Sequence, residues 1–370
     1  MMVLGVDTHK RTHTTVAADQ VGREHAQRTL PATDVGHQRL LEWARESYPG
    51  PSSERLWAIE DCRHVSGRLE RALLAAGEQV VRVPSQLMAG TRRGARTRGK
   101  SDPIDALAVA RAALREHDLP VAHHDQPSRE LKLLVDHRDQ LVSRRTEIIN
   151  RLRWRLHELD PELVVPERTL DRPGTQQRLA DALGDPRRVE TAAAEGLDLQ
   201  RQLALDELSE VIGLTDRANG LGKPIRSRSQ QQAPELVELT GCGPLTAAKL
   251  VAETAGVHRF RNEDCFAAHA GTAPIPVSSG DRDRVRLSRG GNRQLNLALH
   301  RMALTGPDQA LAQARIAGPG RDYYQRKQTE GHTKSEALRA LKRKIARAVY
   351  KALRRAATRQ STSDCTPALT

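Results

Sequence analysis

The chain has 370 residues, which is enough for two or three domains that each bury a hydrophobic core. Its 59 lysines and arginines against 46 acidic residues give a formal net charge of +13, which predicts an acidic partner such as nucleic acid. No apolar stretch is long enough to cross a membrane and no signal-peptide pattern is present, so we expect a cytoplasmic, nucleoid-associated protein with no membrane partner. The four cysteines lack the paired spacing of a zinc site.

The N-terminal third predicts a domain of mixed α/β class over residues 1–122. Apolar runs at 3–6 and 14–18, followed by an extended stretch through Leu30, predict three strands in a meander. A further apolar run, helical spacing and another apolar run then predict strand, helix and strand up to residue 83. A second helix is predicted from Asp102 to Arg115.

The middle of the chain predicts a helical coiled-coil region and linker over residues 123–232. Apolar residues recur every seven positions from Val135 to Leu156, which is typical of a coiled coil. A second helix from about Val189 to Leu214 is expected to return antiparallel, and the pair either packs only on itself or forms a dimerisation arm. The polar, basic residues 221–233 predict a linker.

Residues 233–370 predict a mainly α-helical domain that contacts nucleic acid. Gly241 and Gly243 before an alanine-rich segment are typical of a helix-hairpin-helix, whose backbone N–H groups can bind phosphate, although such turns also occur between helices that bind no DNA. A glycine-rich loop is predicted at 271–291, then a helix from Arg293. A last helix at 334–359 combines an apolar side with a strongly basic one.

Four carboxylates stand at positions that favour a metal site. Asp7 and Glu60 each end a predicted strand, while Asp102 and Asp105 lie three residues apart at the start of a helix. Four acids that converge without cations would repel one another, and divalent metal ions relieve that repulsion, so we expect Mg²⁺ or Mn²⁺ here. Two alternatives stay open: Asp102 acts only as a helix N-cap, and Asp61 replaces Glu60.

Basic residues cluster around this acidic motif and around a pair of serines. A serine between prolines and arginines can act as a nucleophile towards phosphorus, with guanidinium groups stabilising the phosphoryl charge, although Ser-Ser-Gly is also ordinary loop sequence. Either Ser278 or Ser279 could serve. The predicted nucleic-acid contacts are Arg92, Arg93, Arg96, Arg98 and Lys100, then Gly241 and Gly243, then Arg282, Arg284, Arg286, Arg289 and Arg293, and finally Lys342 and Arg343.

These motifs occur in one order that resembles a known family. The chain is similar to the DEDD transposases of insertion sequences, a family that includes bridge-RNA-guided serine recombinases and, more distantly, pilin-gene invertases. The motifs are Gly5-Val6-Asp7-Thr8-His9-Lys10, Ile59-Glu60-Asp61-Cys62, Lys100-Ser101-Asp102-Pro103-Ile104-Asp105-Ala106, Gly241-Cys242-Gly243-Pro244-Leu245-Thr246-Ala247-Ala248 and Ser278-Ser279-Gly280 with Gly290-Gly291-Asn292-Arg293.

The resemblance implies an RNase H/RuvC-like N-terminal domain, a coiled-coil insertion and a C-terminal transposase domain. It implies that Asp7, Glu60, Asp102 and Asp105 bind Mg²⁺ and that Ser279 is the nucleophile that forms a phosphoserine with DNA. It further implies double-stranded DNA as substrate, a structured non-coding guide RNA, and a homo-oligomer, dimeric and then tetrameric in the synaptic complex.

Two other functions remain as alternatives. The first is a RuvC-like junction nuclease or RNase H-type nuclease, in which metal-activated water attacks the phosphodiester and Ser279 is only a loop residue. The second is a nucleic-acid-binding protein without catalytic activity, in which the carboxylates are helix caps and surface charges.

Overall fold

The computed structural model describes residues 1–61, 63–84, 87–88, 101–116, 119, 121–122, 126–279, 282–287, 291–304 and 317–364. The chain divides into two compact units. Unit 1 comprises Met1–Asp125 with His258–Asn262, and unit 2 comprises Gln126–Val257 with Glu263–Thr370. The division into three parts at residues 122 and 232 stays a prediction.

Unit 1 is built on a five-stranded mixed sheet, as the sequence predicted. The strand order is β3-β2-β1-β4-β5, with β1, β2 and β3 antiparallel and β1, β4 and β5 parallel. A meander followed by two parallel strands is consistent with a RuvC-like domain. The strands are β1 (Met2–Thr8), β2 (Thr12–Ala18), β3 (Glu24–Pro31), β4 (Arg55–Glu60) and β5 (Gln79–Val83).

Helices cover both faces of this sheet, because alternate residues of a strand point to opposite sides. Leu4 and Trp57 belong to a core that also contains Leu40 of α1 (Asp34–Ser47) and Leu69 of α2 (Arg63–Ala75). The opposite face packs against α3 (Asp102–Arg115) through Val109 and its neighbours. The sequence predicted α2 and α3 but not α1.

Two buried histidines join β2 to α1. The Nε2 atoms of His13 and His37 lie 3.2 Å apart, and the two rings are stacked with centroids 5.2 Å apart. Burial, and then the neighbouring His37, lowers the pKa of His13 to about 4. Burial also lowers the pKa of His37. Both rings are therefore neutral at pH 7, so one can donate to the other.

Unit 2 begins with two long helices, α4 (Gln126–Leu159) and α7 (Asp198–Gly220), joined by α5 (Pro173–Gly184) and α6 (Pro186–Ala194). They run antiparallel, because Ile148 of α4 packs near Leu214 of α7 whereas Leu156 packs near Ala204. The predicted second helix from Val189 to Leu214 was wrong at its start. Two helices occupy this segment, and they are separated at Gly196, where the backbone has a left-handed φ of +71°.

The predicted linker was also wrong. Residues 222–232 form a helix, α8 (Gly222–Gln232), which buries Ile225 and Ser229 on its inner side. Short α9 (Pro234–Val237) follows, and then α10 (Pro244–Thr254). Lys, Arg and Gln are good helix formers even where few apolar residues mark the buried side. The turn before α10 contains Gly241 at φ +82°.

The remainder of unit 2 carries a β-hairpin within the predicted loop at 271–291. Strands β6 (Pro274–Ser279) and β7 (Arg282–Leu287) pair antiparallel, which corrects the loop prediction. One helix precedes the hairpin in the chain, α11 (Glu263–His269). Three helices follow it: α12 (Arg293–Leu304), α13 (Pro319–Thr329) and α14 (Lys334–Asp364). The helices predicted from Arg293 and from Lys334 are confirmed, the latter five residues longer than the predicted end at Arg359.

Candidate metal centre and serine hairpin

The strands of unit 1 bring two of the predicted carboxylates together. Asp7 is 4% exposed and lies near the end of β1, on the face of the sheet that α3 covers. In the parallel pairing of β1 with β4, Val6 lies opposite Ile59. The next position of this register places Glu60 beside Asp7, so the two carboxylates share one end of the sheet.

A glycine allows α3 to bring the other two carboxylates to the same place. A Cβ at position 5 would lie 2.2 Å from the carbonyl oxygen of Ala106 and 2.6 Å from the amide nitrogen of Ala110. Gly5 is thus required for the close packing of β1 on α3, since any side chain would force the two backbones apart. This contact brings the first turn of α3, with Asp102 and Asp105, to the end of β1.

The electrostatics of Asp7 reflect this convergence. Burial raises the pKa of Asp7; nearby His9 opposes the increase, and the carboxylates of Asp105, Glu60 and Asp102 raise that pKa further. We call Asp7, Glu60, Asp102 and Asp105 the carboxylate edge. Its members repel one another in the absence of a cation, which is the electrostatic condition that a divalent metal ion relieves.

His9 is a further candidate ligand that the sequence analysis missed. Its Nε2 atom lies 3.2 Å from Oδ2 of Asp7 and 3.4 Å from Oδ1 of Asp102. One ligand atom from each of these three residues lies within 4.8 Å of the others, close enough for one metal ion. The sequence feature that could have identified His9 is its spacing of two residues from Asp7, because residues two apart on an extended segment point to the same side.

The structure bears on both alternatives for this edge. Ser101, not Asp102, is the N-cap residue of α3, so the interpretation of Asp102 as the cap was wrong. Asp61 faces a different environment from Glu60, because it interacts with Arg82. Burial lowers the pKa of Arg82, but the carboxylates of Glu70 and then Asp61 raise it by more, so that the net shift is upward. Glu60, by contrast, acts on Asp7, which favours Glu60 as the ligand.

Ser278 and Ser279 are the last two residues of β6, where they lie opposite Asp283 and Arg282 of β7. Their side chains, and those of Arg282 and Arg284, lie outside the described residues. The two serines therefore lie at the end of β6 that pairs with the start of β7. Either hydroxyl remains a candidate nucleophile.

The opposite end of the hairpin is held by a close backbone contact. A Cβ at position 291 would lie 2.2 Å from the amide nitrogen of Gly271, and the backbone N–H of Asn292 donates to the carbonyl oxygen of His269 at 2.6 Å. The amide of Asn296 donates to the carbonyl oxygens of Ala270, at 2.9 Å, and Gly271, at 3.1 Å. We call Gly271, Gly291, Asn292 and Asn296 the hairpin base.

Charged side chains support both asparagines of the hairpin base. The Asn292 amide donates to Oε2 of Glu253 at 2.8 Å, and Lys132 lies 2.8 Å from Oε1 of the same carboxylate. The Lys342 ammonium donates to Oδ1 of Asn296 at 2.5 Å, and burial lowers its pKa. Sequence reasoning missed this network, because its members come from four separate helices or helix ends.

The predicted nucleic-acid contacts are distributed unevenly. Lys342 is engaged inside unit 2 and Arg343 is paired with Asp264, so a phosphate contact for either one stays a prediction. Arg286 and Arg293 are exposed, Gly241 has left-handed backbone, and Gly243 precedes α10 with extended backbone. The residues outside the described ranges are Arg92, Arg93, Arg96, Arg98, Lys100 and Arg289.

Comparison with known proteins identifies the family. Residues 4–161 match the DEDD transposase profile of the IS110 group, and residues 233–316 match the profile described as "Transposase IS116/IS110/IS902 family". The chain belongs to the IS110 family of DEDD transposases. It is therefore an insertion-sequence transposase, an enzyme that acts on DNA, and its family implies a divalent metal ion, typically Mg²⁺.

Individual relatives agree with this assignment over most of the chain. The 44.8 kDa protein of insertion element IS116 from Streptomyces clavuligerus is 28% identical over 95% of this chain and 94% of its own length. The 42 kDa protein of IS900 from Mycobacterium paratuberculosis is 27% identical over 95% of both chains. The transposase of insertion sequence element IS1111A from Coxiella burnetii is 26% identical over 54% of this chain and 53% of its own length.

The lengths and apolar character of the helices bear on membrane crossing. Within the part of the chain that the structure describes, none combines the length and apolar character that crossing a membrane requires.

Proposed function

We propose that this transposase cleaves and rejoins DNA through a serine nucleophile, with Mg²⁺ held by Asp7, Glu60, Asp102 and Asp105. The observation that supports the metal site is geometric: ligand atoms of Asp7, His9 and Asp102 lie within 4.8 Å of one another. Burial and the other three carboxylates raise the pKa of Asp7, in agreement with this geometry. When bound, the metal ion supplies positive charge that stabilises the phosphoryl oxygens. Oxygen ligands of this kind suit Mg²⁺ or Mn²⁺.

In the proposed reaction, the hydroxyl oxygen of Ser279 attacks the scissile phosphorus and the bond to the 3′ oxygen breaks. The serine loses its proton, the leaving 3′ oxygen gains one, and DNA stays attached as a phosphoserine. Attack of a 3′ hydroxyl on that phosphoserine reverses the step, so the phosphodiester energy is conserved and rejoining needs no nucleotide cofactor. Arg282, Arg284 and Arg286 would stabilise the phosphoryl charge.

The proposal includes a structured non-coding guide RNA that selects target and donor DNA. It also includes a homo-oligomer, dimeric and then tetrameric in the synaptic complex, in which the carboxylate edge of one protomer acts with the serine hairpin of another. The basic residues before Asp102 and the turn at Gly241 and Gly243 would contact phosphates.

The test is a cleavage assay with the element's junction DNA, its flanking transcript and Mg²⁺, run on the wild type and on Ser279→Ala and Ser278→Ala. We expect a DNA–protein adduct on denaturing gels that needs Ser279, Mg²⁺ and the transcript, with strand exchange at least about 10³-fold lower in Ser279→Ala.

Two outcomes would change the assignment. An adduct lost only in Ser278→Ala would move the nucleophile by one residue. Cleavage without an adduct, unchanged in both variants, would make the protein a metal-dependent nuclease that uses activated water.

A further inference from the structure

Helix α8, which the sequence presents as a basic linker, has two contrasting sides. Ile225 and Ser229 are fully buried on the inner side. The outer side exposes Lys223, Arg226, Ser227, Gln230 and Gln231. Their spacing of three, four, seven and eight residues from Lys223 places all five on one face of the helix. We call these five residues the outer face of α8.

This face borders a shallow, open surface depression of about 450 Å³. All five lining side chains carry hydrogen-bond donors: an ammonium, a guanidinium, a hydroxyl and two amides. The α8 segment contains three cations and no acidic residue. An exposed helix face with this donor set and no acidic residue complements an anion with many oxygen atoms.

The two cations of the outer face differ from the third cation of the helix. Arg228 pairs with Glu130, its Nε atom 3.3 Å from Oε2. Among the described residues, neither Lys223 nor Arg226 has a carboxylate within ion-pair distance. Their charges remain available to a ligand, whereas the charge of Arg228 is compensated within unit 2.

The C-terminal end of α8 is fixed by the last helix. Arg359 of α14 donates to the carbonyl oxygens of Gln231, at 3.4 Å, and Gln232, at 3.3 Å, and the Gln360 amide donates to Gln232 at 2.8 Å. These bonds satisfy carbonyl groups that a helix end leaves unpaired. The outer face is thus presented on a helix that is held in place at this end.

We propose that the outer face of α8 binds the sugar–phosphate backbone of double-stranded DNA, an inference that rests on the DNA transposase function. Lys223 and Arg226 neutralise phosphates, while Ser227, Gln230 and Gln231 donate hydrogen bonds to phosphate oxygens. A helix of this length spans roughly 16 Å, and duplex DNA carries one negative charge per about 1.7 Å of its axis, so several phosphates lie within reach of this face. Because contact with phosphates requires no entry into a groove, the choice of duplex DNA over RNA rests on the chain being a DNA transposase.

The test compares full-length Lys223→Gln, Arg226→Gln and the double variant with Arg228→Gln, a control that removes one charge from the same helix. Binding to a 30-base-pair duplex is measured across a salt series, and thermal unfolding checks that each variant is folded. Each phosphate contact contributes about 0.9 to the slope of log affinity against log salt. We therefore expect each single variant to lose about 0.9 of the slope and the double variant about 1.8, with Arg228→Gln unchanged.

Three results would overturn the proposal: slopes equal to the wild type, equal losses in Arg228→Gln, or a loss seen with an RNA hairpin but not with the DNA duplex. Ser279→Ala is measured in the same series and should keep the wild-type slope. The two proposals can therefore fail separately. Absence of a DNA–protein adduct at Ser279 would not change the salt slopes of the α8 variants, and unchanged salt slopes would not affect adduct formation.

Discussion

The carboxylate edge of unit 1 and the hairpin base of unit 2 both depend on a glycine that allows a close backbone contact, but they differ in how their charges are compensated. In each, a glycine allows two backbones to touch, Gly5 against Ala106 and Gly291 against Gly271. At the carboxylate edge this contact concentrates negative charge around Asp7. Beside the hairpin base the charged side chains meet partners, as Glu253 does with Lys132 and Asn292. The first arrangement leaves a charge repulsion that an added cation would relieve, whereas the groups of the second find their hydrogen-bond partners within the protein.

The largest expected effect tests the close backbone contacts at the two glycines. Gly5→Ala and Gly291→Ala should each lower the free energy of unfolding by about 3 kcal/mol, because the new methyl group meets fixed backbone atoms. Gly213→Ala is the control: it lies within α7 with nothing within 4 Å of a Cβ, so it should stabilise by about 1 kcal/mol. Denaturant unfolding measures all three, and equal effects at Gly5 and Gly213 would contradict the close packing of β1 on α3.

A smaller effect tests the completeness of the hairpin base. Glu253→Ala should destabilise the protein by about 2 kcal/mol, because the partly buried Asn292 amide and Lys132 lose a buried acceptor. Asp136→Ala is the matched control: Asp136 also pairs with Lys132, 2.7 Å away, but its side chain is 43% exposed. That exposed pair should contribute about 0.5 kcal/mol or less. Equal losses on thermal unfolding would show that Glu253 has no special role.

The smallest effect has the opposite sign. Because the pKa of Asp7 is raised in the folded protein, ionised Asp7 lowers the free energy of unfolding at any pH above the pKa that Asp7 has in the unfolded chain. Asp7→Asn should therefore stabilise the metal-free protein at pH 7 by about 1 kcal/mol. Thermal unfolding with and without Mg²⁺ measures this, and the variant should lose most of the Mg²⁺-dependent increase in Tm of the wild type. A destabilised metal-free variant, or an unchanged Mg²⁺ response, would contradict a repulsive metal-binding edge.

The sequence allowed the carboxylate edge to be predicted more fully than the hairpin base. Strand ends and the Asp102 to Asp105 spacing mark the acids locally, because the apolar runs fix where strands end. The strands of the hairpin are short and contain Pro274 and Pro276, so glycines and prolines predicted a loop instead. Helix α8 was missed because only two of its residues, Ile225 and Ser229, are fully buried, too few to show helical periodicity. Contacts such as Asn292 with Glu253 join positions far apart in the chain and leave no local pattern.

The stacked histidines of unit 1 give its folding a proton dependence. With the pKa of His13 near 4 in the folded protein and the usual value of 6.5 for an unfolded chain, unfolding takes up a proton between these two pH values. The contribution of neutral His13 to stability is complete above pH 6.5 and is lost as the pH falls towards 4. Acidification therefore weakens the contact between β2 and α1, in the same unit that carries the carboxylate edge.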